Sequence, residues 1–480
     1  MAIEFTLNGQ RKSASDVSPT MTLLQYLRGP LGETGTKEGC AEGDCGACTV
    51  AIVDPDAPQG ATFRAVNSCL VLLPMVHGKD IVTVEGLADG APHPVQASLV
   101  EKLGSQCGYC TPGVIMSMFE ACYRKDLDEP WKLDDQMCGN LCRCTGYRPI
   151  RDATEAIASL APSDRFAAAL EAAQNKRGVP SYEHGDQKFF APATFDELFD
   201  VLDANPDREI VCGGTDLSLR VTKKFERLGT VVSLEGVETL RGIERTSDVW
   251  RIGATTPLAD LEDAARDGLE PIERMLRFFG ARQIKNRGTI GGNLCTASPI
   301  GDLAPVLLAL NATVALVSRQ GRRTLPLSDF FLGYRQTALE ENEILEAVLI
   351  PAIEDDARVG AYKVSKRQEL DISTVALGAY VRLDDANNVV EVRLAFGGMA
   401  ATPVRAAKAE AALVGEAWTE ENVDAAVKEI DAELTPLDDH RGSAWYRSTV
   451  AKNLVRGFYF ETLSQARPRL VHRPAATVVL

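Results

Sequence analysis

The sequence has 480 residues, of which 45% are hydrophobic and 25% charged, and its formal net charge at pH 7 is −16. This length predicts about three or four domains of ordinary globular composition. The acidic balance disfavours nucleic acid and anionic membrane surfaces as partners, and no apolar run is long enough to span a bilayer.

The twelve cysteines are the most informative residues, and ten of them precede residue 145. The N-terminal residues show neither the basic nor the apolar part of a secretory signal, so we expect a cytoplasmic protein. Clustered cysteines in that compartment predict metal ligands rather than disulfides. The sequence therefore predicts a metal-rich N-terminal third and a metal-poor remainder.

Residues 1–88 predict a small β-grasp-like domain. Apolar residues alternate with polar ones in residues 3–7, which predicts a strand, and Asn8-Gly9 is typical of a hairpin turn. Thr22 is a suitable cap for a short helix. Further strands are predicted at residues 48–53 and 82–87.

The loop of residues 37–49 carries cysteines in the spacing C-x4-C-x2-C, and a fourth follows after 20 intervening residues. These cysteines are Cys40, Cys45, Cys48 and Cys69. Four thiolates at this spacing are typical of a plant-type [2Fe–2S] cluster. Interleaved glycines permit left-handed backbone and close approach of N–H groups to sulfur. A disulfide or a zinc site is the alternative, although zinc usually takes two separated pairs of ligands.

Residues 89–162 predict a helical domain with a second cluster. Cys107 and Cys110 form a C-x2-C pair, and Cys142 and Cys144 form a C-x-C pair after 31 intervening residues. Each pair precedes a predicted helix, whose N-terminal N–H groups favour an anionic centre. We interpret the two remaining cysteines of this region, Cys122 and Cys138, as structural thiols.

Residues 163–187 predict a linker, and an α+β domain is predicted from 188 to 357. Within that domain, a strand runs into Gly213-Gly214-Thr215-Asp216, a turn suited to cradling phosphate. Residues 281–302 are polar and glycine-rich with little hydrophobic periodicity, which indicates a second cradle for pyrophosphate and ribose. Asp302 is placed to accept a hydrogen bond from a sugar hydroxyl. The sequence supports neither a Rossmann fingerprint nor a Walker A loop.

Residues 358–470 alternate predicted strands and helices, which indicates a second α+β domain. The strands are predicted at residues 374–383 and 389–396, and the helices at residues 403–414 and 420–430. We expect the tail of residues 471–480 to be extended.

These motifs, in this order, resemble the xanthine oxidase family, and within it the small subunit of the bacterial xanthine dehydrogenases. The resemblance rests on the two cysteine sets, on Arg143-Cys144-Thr145-Gly146-Tyr147 and on Thr289-Ile290-Gly291-Gly292-Asn293. It implies a multidomain α+β chain with a β-grasp plant-type ferredoxin domain and an all-α [2Fe–2S] domain. An α+β FAD-binding domain and a C-terminal domain like that of the CO dehydrogenase flavoprotein would follow.

The resemblance also implies which residues contact FAD. The positions that match are Ile210, Val211, Cys212, Gly213, Gly214, Thr215, Asp216, Leu217, Phe279, Thr289, Gly292, Asn293, Thr296, Asp302, Leu345 and Lys363. Two positions depart from the family pattern, because Cys295 replaces a larger aliphatic residue and Gly301 replaces a serine. Tyr334 falls near the position expected to face nicotinamide.

The activity implied by the resemblance is NAD-dependent oxidation of hypoxanthine and xanthine to urate. A separate large subunit would hold the molybdenum cofactor and act on the purine, in an α2β2 heterotetramer. Electrons would pass through the Cys107–Cys144 cluster and then the plant-type cluster to FAD and NAD+, with no acid–base residue for the purine on this chain.

Two alternatives remain open from the sequence. One is the iron–sulfur and flavin subunit of another molybdenum hydroxylase, acting on an aldehyde or an N-heterocycle, because substrate specificity would be determined by the partner. The other is a binding or scaffold protein with structural zinc, which would be colourless. The choice between NAD+ and oxygen as electron acceptor is not determined by the motifs.

Overall fold

A computed structural model of the chain describes residues 2–158, 160, 162–174 and 181–463. The chain divides into two compact units. The first comprises Met1–Glu238 and Ala281–Gly288, and the second comprises Thr239–Gly280 and Thr289–Leu480. The predicted tail of residues 471–480 lies outside the described residues, as do residues 175–180 of the predicted linker.

The first unit begins with a mixed five-stranded sheet. Its strands, in spatial order, are Gln10–Ala14, Ile3–Leu7, Asp80–Val82, Thr49–Asp54 and Thr62–Asn67. The turn between the first two strands contains Asn8 and Gly9, both with positive φ, as the predicted hairpin requires. Thr22 caps the short helix Leu23–Arg28 by accepting a hydrogen bond from the Gln25 N–H, and the Gln25 side chain accepts one from the Thr22 N–H.

A set of helices follows this sheet and packs against it through a shared apolar core. These helices are Pro94–Glu101, Thr111–Tyr123, Pro130–Met137, Arg148–Ile157 and Arg165–Glu171. The last of them lies within the predicted linker, and its first residue, Arg165, donates to the Gly86 carbonyl at 2.6 Å. The helix Thr111–Tyr123 is nearly all buried. Its Phe119 packs against Phe63 of the sheet, with ring centroids 4.7 Å apart.

The first unit also contains a four-stranded sheet with the helices Phe195–Ala204, Ser218–Thr222 and Arg282–Lys285. Its strands, in spatial order, are Ser181–His184, Gln187–Phe190, Thr230–Ser233 and Glu209–Val211. Tyr182, Phe189 and Val231 of this sheet share one core with the apolar face of the mixed five-stranded sheet. The two sheets of the first unit are therefore joined by a shared apolar core as well as by the chain between them.

The second unit contains a five-stranded sheet, a four-stranded antiparallel sheet and a two-stranded hairpin. The five-stranded sheet has the order Ile243–Arg245, Val249–Gly253, Ile344–Pro351, Thr313–Ser318 and Gly321–Pro326. The four-stranded sheet has the order Arg358–Val364, Val375–Leu383, Val389–Gly397 and Val404–Arg405. The hairpin pairs Phe331–Gly333 with Gln336–Thr337.

The helices of the second unit pack on these sheets around two apolar cores. They are Leu258–Ala265, Glu270–Leu276, Ile290–Cys295, Leu303–Ala309, Ala407–Ala411, Glu420–Glu433 and Ala444–Leu463. In the described ranges, none of the helices of either unit is long and apolar enough to cross a bilayer.

Several predicted elements differ from the structure. The strand predicted at residues 82–87 ends at Val82, because Thr83 donates its backbone N–H to the Asn8 side chain and a 3-10 turn follows. Residues 281–302, for which no regular element was predicted, contain two short helices, the second capped by Thr289. The helix predicted at 403–414 begins only at Ala407, because Val404–Arg405 pairs as an edge strand.

Candidate functional site

The four cysteines of the plant-type loop lie together as two pairs of thiols in the first unit. Cys48 and Cys69 have Sγ atoms 3.4 Å apart and are both buried. Cys40 and Cys45 form the other pair, joined by a hydrogen bond between their side chains. The backbone N–H groups of Glu42 and Cys45 also donate to the Cys40 sulfur, each at 3.4 Å.

In each pair, one thiol gives up its proton more readily than the other. The hydrogen bond from Cys45 lowers the pKa of Cys40 to about 5, and the same bond raises the pKa of Cys45. In the buried pair, the hydrogen bond from Cys69 lowers the pKa of Cys48, whereas the pKa of Cys69 is raised. Thiolate is the ligand form of cysteine, so a cluster at this loop would hold all four sulfurs deprotonated.

Glycines form the walls of this loop where a side chain would not fit. A Cβ atom on Gly39 would lie 2.8 Å from the Cys45 sulfur, and one on Gly46 would lie 2.1 Å from the Gly139 carbonyl oxygen. Gly43 and Gly46 also have φ values of 81° and 67°, in the left-handed region. The glycines and cysteines of this loop therefore fit an iron–sulfur cluster that is enclosed by backbone and sulfur atoms.

The second cysteine set also forms two pairs, but one of them is at the surface. Cys107 and Cys144 are exposed and joined by a side-chain hydrogen bond, and Cys110 is joined in the same way to the buried Cys142. The Tyr109 backbone N–H, followed by the Cys144 thiol, lowers the pKa of Cys107. Burial raises the pKa of Cys110 to about 12. Burial also opposes ionisation of Cys142, yet hydrogen bonds from Thr145 hold its pKa below the usual value.

The pairing fits a binuclear cluster in both loops. Each iron of a [2Fe–2S] cluster takes two protein ligands, and each loop offers two pairs of thiols. A single zinc ion takes three or four ligands around one point, whereas the thiols of each loop lie as two separate pairs. None of the twelve cysteines is in a disulfide. Cys138 instead donates to the Asp135 carbonyl at 3.2 Å, and Cys122 is buried in the helix Thr111–Tyr123.

The two cysteine loops contact each other directly. The Leu141 N–H, next to Cys142, donates to the carbonyl oxygen of Cys45 at 3.0 Å. The adjacent Asn140 side chain donates to the Gly46 carbonyl at 3.2 Å, and the Tyr109 hydroxyl donates to the Glu38 carbonyl. The predicted ligands of the two clusters are therefore linked by one backbone hydrogen bond and its flanking residues.

The first predicted flavin loop, residues 210–217, lies beside the plant-type loop in the same unit. Ser218 donates its hydroxyl to the carbonyl of Leu70, the neighbour of Cys69, at 2.8 Å. Gly214 has a φ of 82°, and a Cβ there would lie 2.7 Å from the same carbonyl. A Cβ on Gly213 would lie 1.7 Å from the Arg287 carbonyl. This loop therefore requires its two glycines.

The remaining residues predicted to contact FAD belong to the second unit. Thr289 accepts a hydrogen bond from the Gly292 N–H at 3.0 Å, and Thr296 donates to the Asn293 carbonyl at 2.7 Å. The Asn293 side-chain oxygen is buried, and no protein group in the described part of the chain donates to it. An orphaned acceptor of this kind fits a site that a ligand completes. Phe279 is half-buried and Leu345 is buried in a strand.

Asp302 and Lys363 form a buried ion pair in the second unit. The Lys363 ammonium lies 2.7 Å from one carboxylate oxygen of Asp302 and donates to the Phe278 carbonyl at 2.8 Å. The Ser373 hydroxyl donates to the other oxygen of Asp302 at 2.5 Å. The sequence predicts Asp302 and Lys363 as flavin contacts, but it does not indicate a role for Ser373, Asn140 or Ser218. No local pattern marks these three, because their partners are distant in sequence.

The substitution Gly46→Ala tests the enclosed geometry of the plant-type loop. We expect a loss of about 3 kcal/mol in the free energy of unfolding and loss of two irons per chain, because the methyl group would meet the Gly139 carbonyl. The matched control is Gly60→Ala, where φ is also positive but nothing lies within 4 Å; it should cost about 1 kcal/mol. Equal losses in the two variants, by chemical denaturation and iron assay, would contradict this account.

Four domain families match successive parts of the chain. Residues 5–73 match the 2Fe-2S iron-sulfur cluster binding domain, and residues 83–155 match the [2Fe-2S] binding domain. Residues 183–353 match the FAD binding domain in molybdopterin dehydrogenase. Residues 360–462 match the CO dehydrogenase flavoprotein C-terminal domain.

Curated relatives cover nearly all of the chain. Xanthine dehydrogenase of Emericella nidulans is 33% identical over 97% of this chain, and xanthine dehydrogenase/oxidase of Mus musculus is 31% identical over 96%. The chain spans 39% of the length of each of these relatives.

Solved structures match the chain over a shorter range. Carbon monoxide dehydrogenase from Hydrogenophaga pseudoflava has a TM-score of 0.54 at 29% identity and covers 57% of this chain and 96% of its own. Quinoline 2-oxidoreductase from Pseudomonas putida 86 has a TM-score of 0.52 at 25% identity, with coverage of 57% and 95%. The four matched domains occur in the predicted order, and the multidomain α+β fold class is confirmed. The chain belongs to the xanthine oxidase family of molybdenum hydroxylases and carries the two [2Fe-2S] domains, the FAD-binding domain and the flavoprotein C-terminal domain that these families describe.

Proposed function

We propose that this chain is the electron-transfer subunit of an NAD-dependent xanthine dehydrogenase, working with a partner subunit that holds the molybdenum cofactor. When bound, the two clusters carry single electrons and FAD collects pairs, which joins purine oxidation on the partner to reduction of NAD+. The eight paired cysteines would hold the clusters. The residues of the two flavin stretches would hold FAD.

One observation carries the proposal: within one unit, the plant-type loop contacts the second cysteine loop, and Leu70, next to the fourth plant-type cysteine, contacts Ser218 at the end of the first predicted flavin loop. On one side, Cys45 accepts the hydrogen bond from Leu141. On the other, Leu70 accepts the hydrogen bond from Ser218. This order supports a relay in which the plant-type cluster is the middle carrier.

The solvent exposure of the predicted ligands indicates which cluster of the proposed relay lies at the protein surface. The Cys107 and Cys144 thiols are exposed, which suits the side facing an electron donor. Cys48 and Cys69 are buried under Leu24 and Leu70, which excludes water from the inner pair. A buried, dry inner carrier limits loss of electrons to solvent species.

The molybdenum partner is proposed from the family, as is the α2β2 assembly. Support for purine oxidation comes from the curated relatives named xanthine dehydrogenase. The solved structures named for carbon monoxide and quinoline keep the alternative open that another substrate is used, with the same carriers on this chain.

Purification of the native complex and steady-state assays would test the proposed function. We expect four irons and one FAD per chain, molybdenum in the partner, and NADH formation with xanthine and hypoxanthine. Turnover of an aldehyde or an N-heterocycle without purine activity would replace the substrate assignment. A colourless protein that contains zinc would overturn the relay itself. If the reduced protein reacts faster with oxygen than with NAD+ in stopped-flow mixing, oxygen would replace NAD+ as the proposed electron acceptor.

A further inference from the structure

The segment Ala281–Gly288 is the part of the first unit that enters it from a distant stretch of the sequence. Its short helix, Arg282–Lys285, is followed by Asn286, and four of the segment's polar side chains are buried. Those side chains are Arg282, Gln283, Lys285 and Asn286. Buried polar groups are costly unless they are paired, so the partners of each side chain indicate what the segment does.

The partners of Gln283 lie on the elements that carry or follow predicted cluster ligands. Its amide nitrogen is 2.9 Å from the Ser117 hydroxyl, 3.1 Å from the Asn140 amide oxygen and 3.4 Å from the Thr49 hydroxyl. Thr49 follows Cys48, and Asn140 precedes Cys142 by two residues. Ser117 is on the helix that begins after Cys110. One amide therefore reaches elements that hold ligands of both clusters.

Asn140 extends this contact into the plant-type loop. Its side-chain nitrogen donates to the Gly46 carbonyl, and the next residue, Leu141, donates its N–H to Cys45. Gly139 leaves no room for a side chain, since a Cβ there would lie 2.0 Å from the Gln283 side-chain oxygen. Gln283 thus contacts the stretch whose Leu141 N–H joins the second cysteine loop to the Cys45 carbonyl.

The Gln283 side chain is not arranged for stability alone. Its amide oxygen is buried and has no hydrogen-bond partner among the described residues. A buried oxygen left without a donor lowers stability. The described neighbours of Gln283 accept hydrogen bonds from its amide nitrogen, and none of them donates to its amide oxygen.

We propose that Gln283 is a positioning residue that fixes, through Asn140, the geometry between the two iron–sulfur clusters. The inference rests on the proposed function, because it requires both clusters to be present. Gln283 touches no predicted ligand itself and acts through the hydrogen bonds described above. It therefore controls the distance and orientation between the two carriers and the electronic coupling through the Cys45–Leu141 hydrogen bond.

The test compares Gln283→Met with Asn286→Leu in the purified native complex. Asn286 is a matched control, because it is a buried amide of the same segment whose oxygen also accepts no hydrogen bond from the described part of the chain. Its nitrogen donates to the Ala65 carbonyl and to Glu120, not to the cysteine loops. Iron and sulfide are counted first, and wild-type protein without two clusters would refute the proposed function instead of this inference.

The readout is the magnetic splitting between the two fully reduced clusters in low-temperature EPR, together with inter-cluster electron transfer after flash reduction. We expect Gln283→Met to keep four irons, to change the splitting and to slow the transfer several-fold, whereas Asn286→Leu leaves both unchanged. Unchanged values in Gln283→Met, or equal changes in both variants, would overturn the inference.

A second variant covers the case in which Gln283→Met loses iron. Asn140→Asp keeps the shape of the side chain and the acceptor for Gln283 but removes the donor to Gly46. It should retain four irons and reproduce the altered splitting. Loss of iron in this variant as well would show that these residues retain the clusters rather than orient them, and would reject the inference.

Discussion

Replacement of Cys45 by serine is expected to remove the plant-type cluster and to stop electrons from reaching the flavin, while FAD remains bound. Cys45 pairs with Cys40, and its carbonyl accepts the hydrogen bond from Leu141. A serine hydroxyl is a poor iron ligand at neutral pH, because thiolate is the ligand that holds these clusters. The predicted flavin residues do not include Cys45, so the flavin content should not change.

The measurements are iron and flavin content, EPR of the reduced protein, and stopped-flow reduction of FAD by the substrate of the partner. Cys45→Ser should lose two irons per chain and one EPR signal, and flavin reduction should fall to the background rate. The matched control is Cys138→Ser, because Cys138 donates to the Asp135 carbonyl and a serine hydroxyl can do the same. Substrate-driven flavin reduction at the wild-type rate in Cys45→Ser would mean that the relay does not use the plant-type cluster.

Local structure was predictable where it depends on residues close in sequence. The hairpin at Asn8-Gly9 and the helix capped by Thr22 form as predicted, because each is determined within about four positions. Cysteine spacing and interleaved glycines likewise indicated enclosed loops before any distance was known. The position of each predicted ligand and flavin contact is a prediction that cluster and flavin assays have still to test.

Other features depend on contacts that no local pattern encodes. Residues 281–288 were interpreted as part of a flavin cradle, yet Gln283 and Asn286 are buried against elements more than 140 positions away. The pairing of Cys107 with Cys144, rather than with Cys110, follows from how two loops meet. The helix Ala444–Leu463 was not predicted, because polar and apolar residues are mixed around its surface. Tertiary contacts decided each of these outcomes.

The substitution Asp302→Asn should lower the free energy of unfolding by about 3–5 kcal/mol. Asp302 and Lys363 are both nearly inaccessible to solvent, with side chains 8% and 5% exposed. Removal of the carboxylate charge leaves the buried Lys363 ammonium without its counter-ion, with neutral oxygens such as the Phe278 carbonyl as its acceptors. An unpaired buried charge is far more costly than the loss of an exposed pair, so this change should exceed most single substitutions in the second unit.

The exposed pair Arg245–Asp267 of the same unit is the control, with side chains 48% and 92% exposed and an N–O distance of 2.9 Å. Asp267→Asn should cost less than about 1 kcal/mol in chemical denaturation. The double variant Asp302→Asn with Lys363→Met removes both charges, so it should recover part of the loss. If the double variant is as unstable as Asp302→Asn alone, the loss comes from the Ser373 hydrogen bond and the local packing instead of from the unpaired ammonium. Because both residues are also predicted flavin contacts, flavin content should fall in the double variant even where stability recovers, which separates binding from folding.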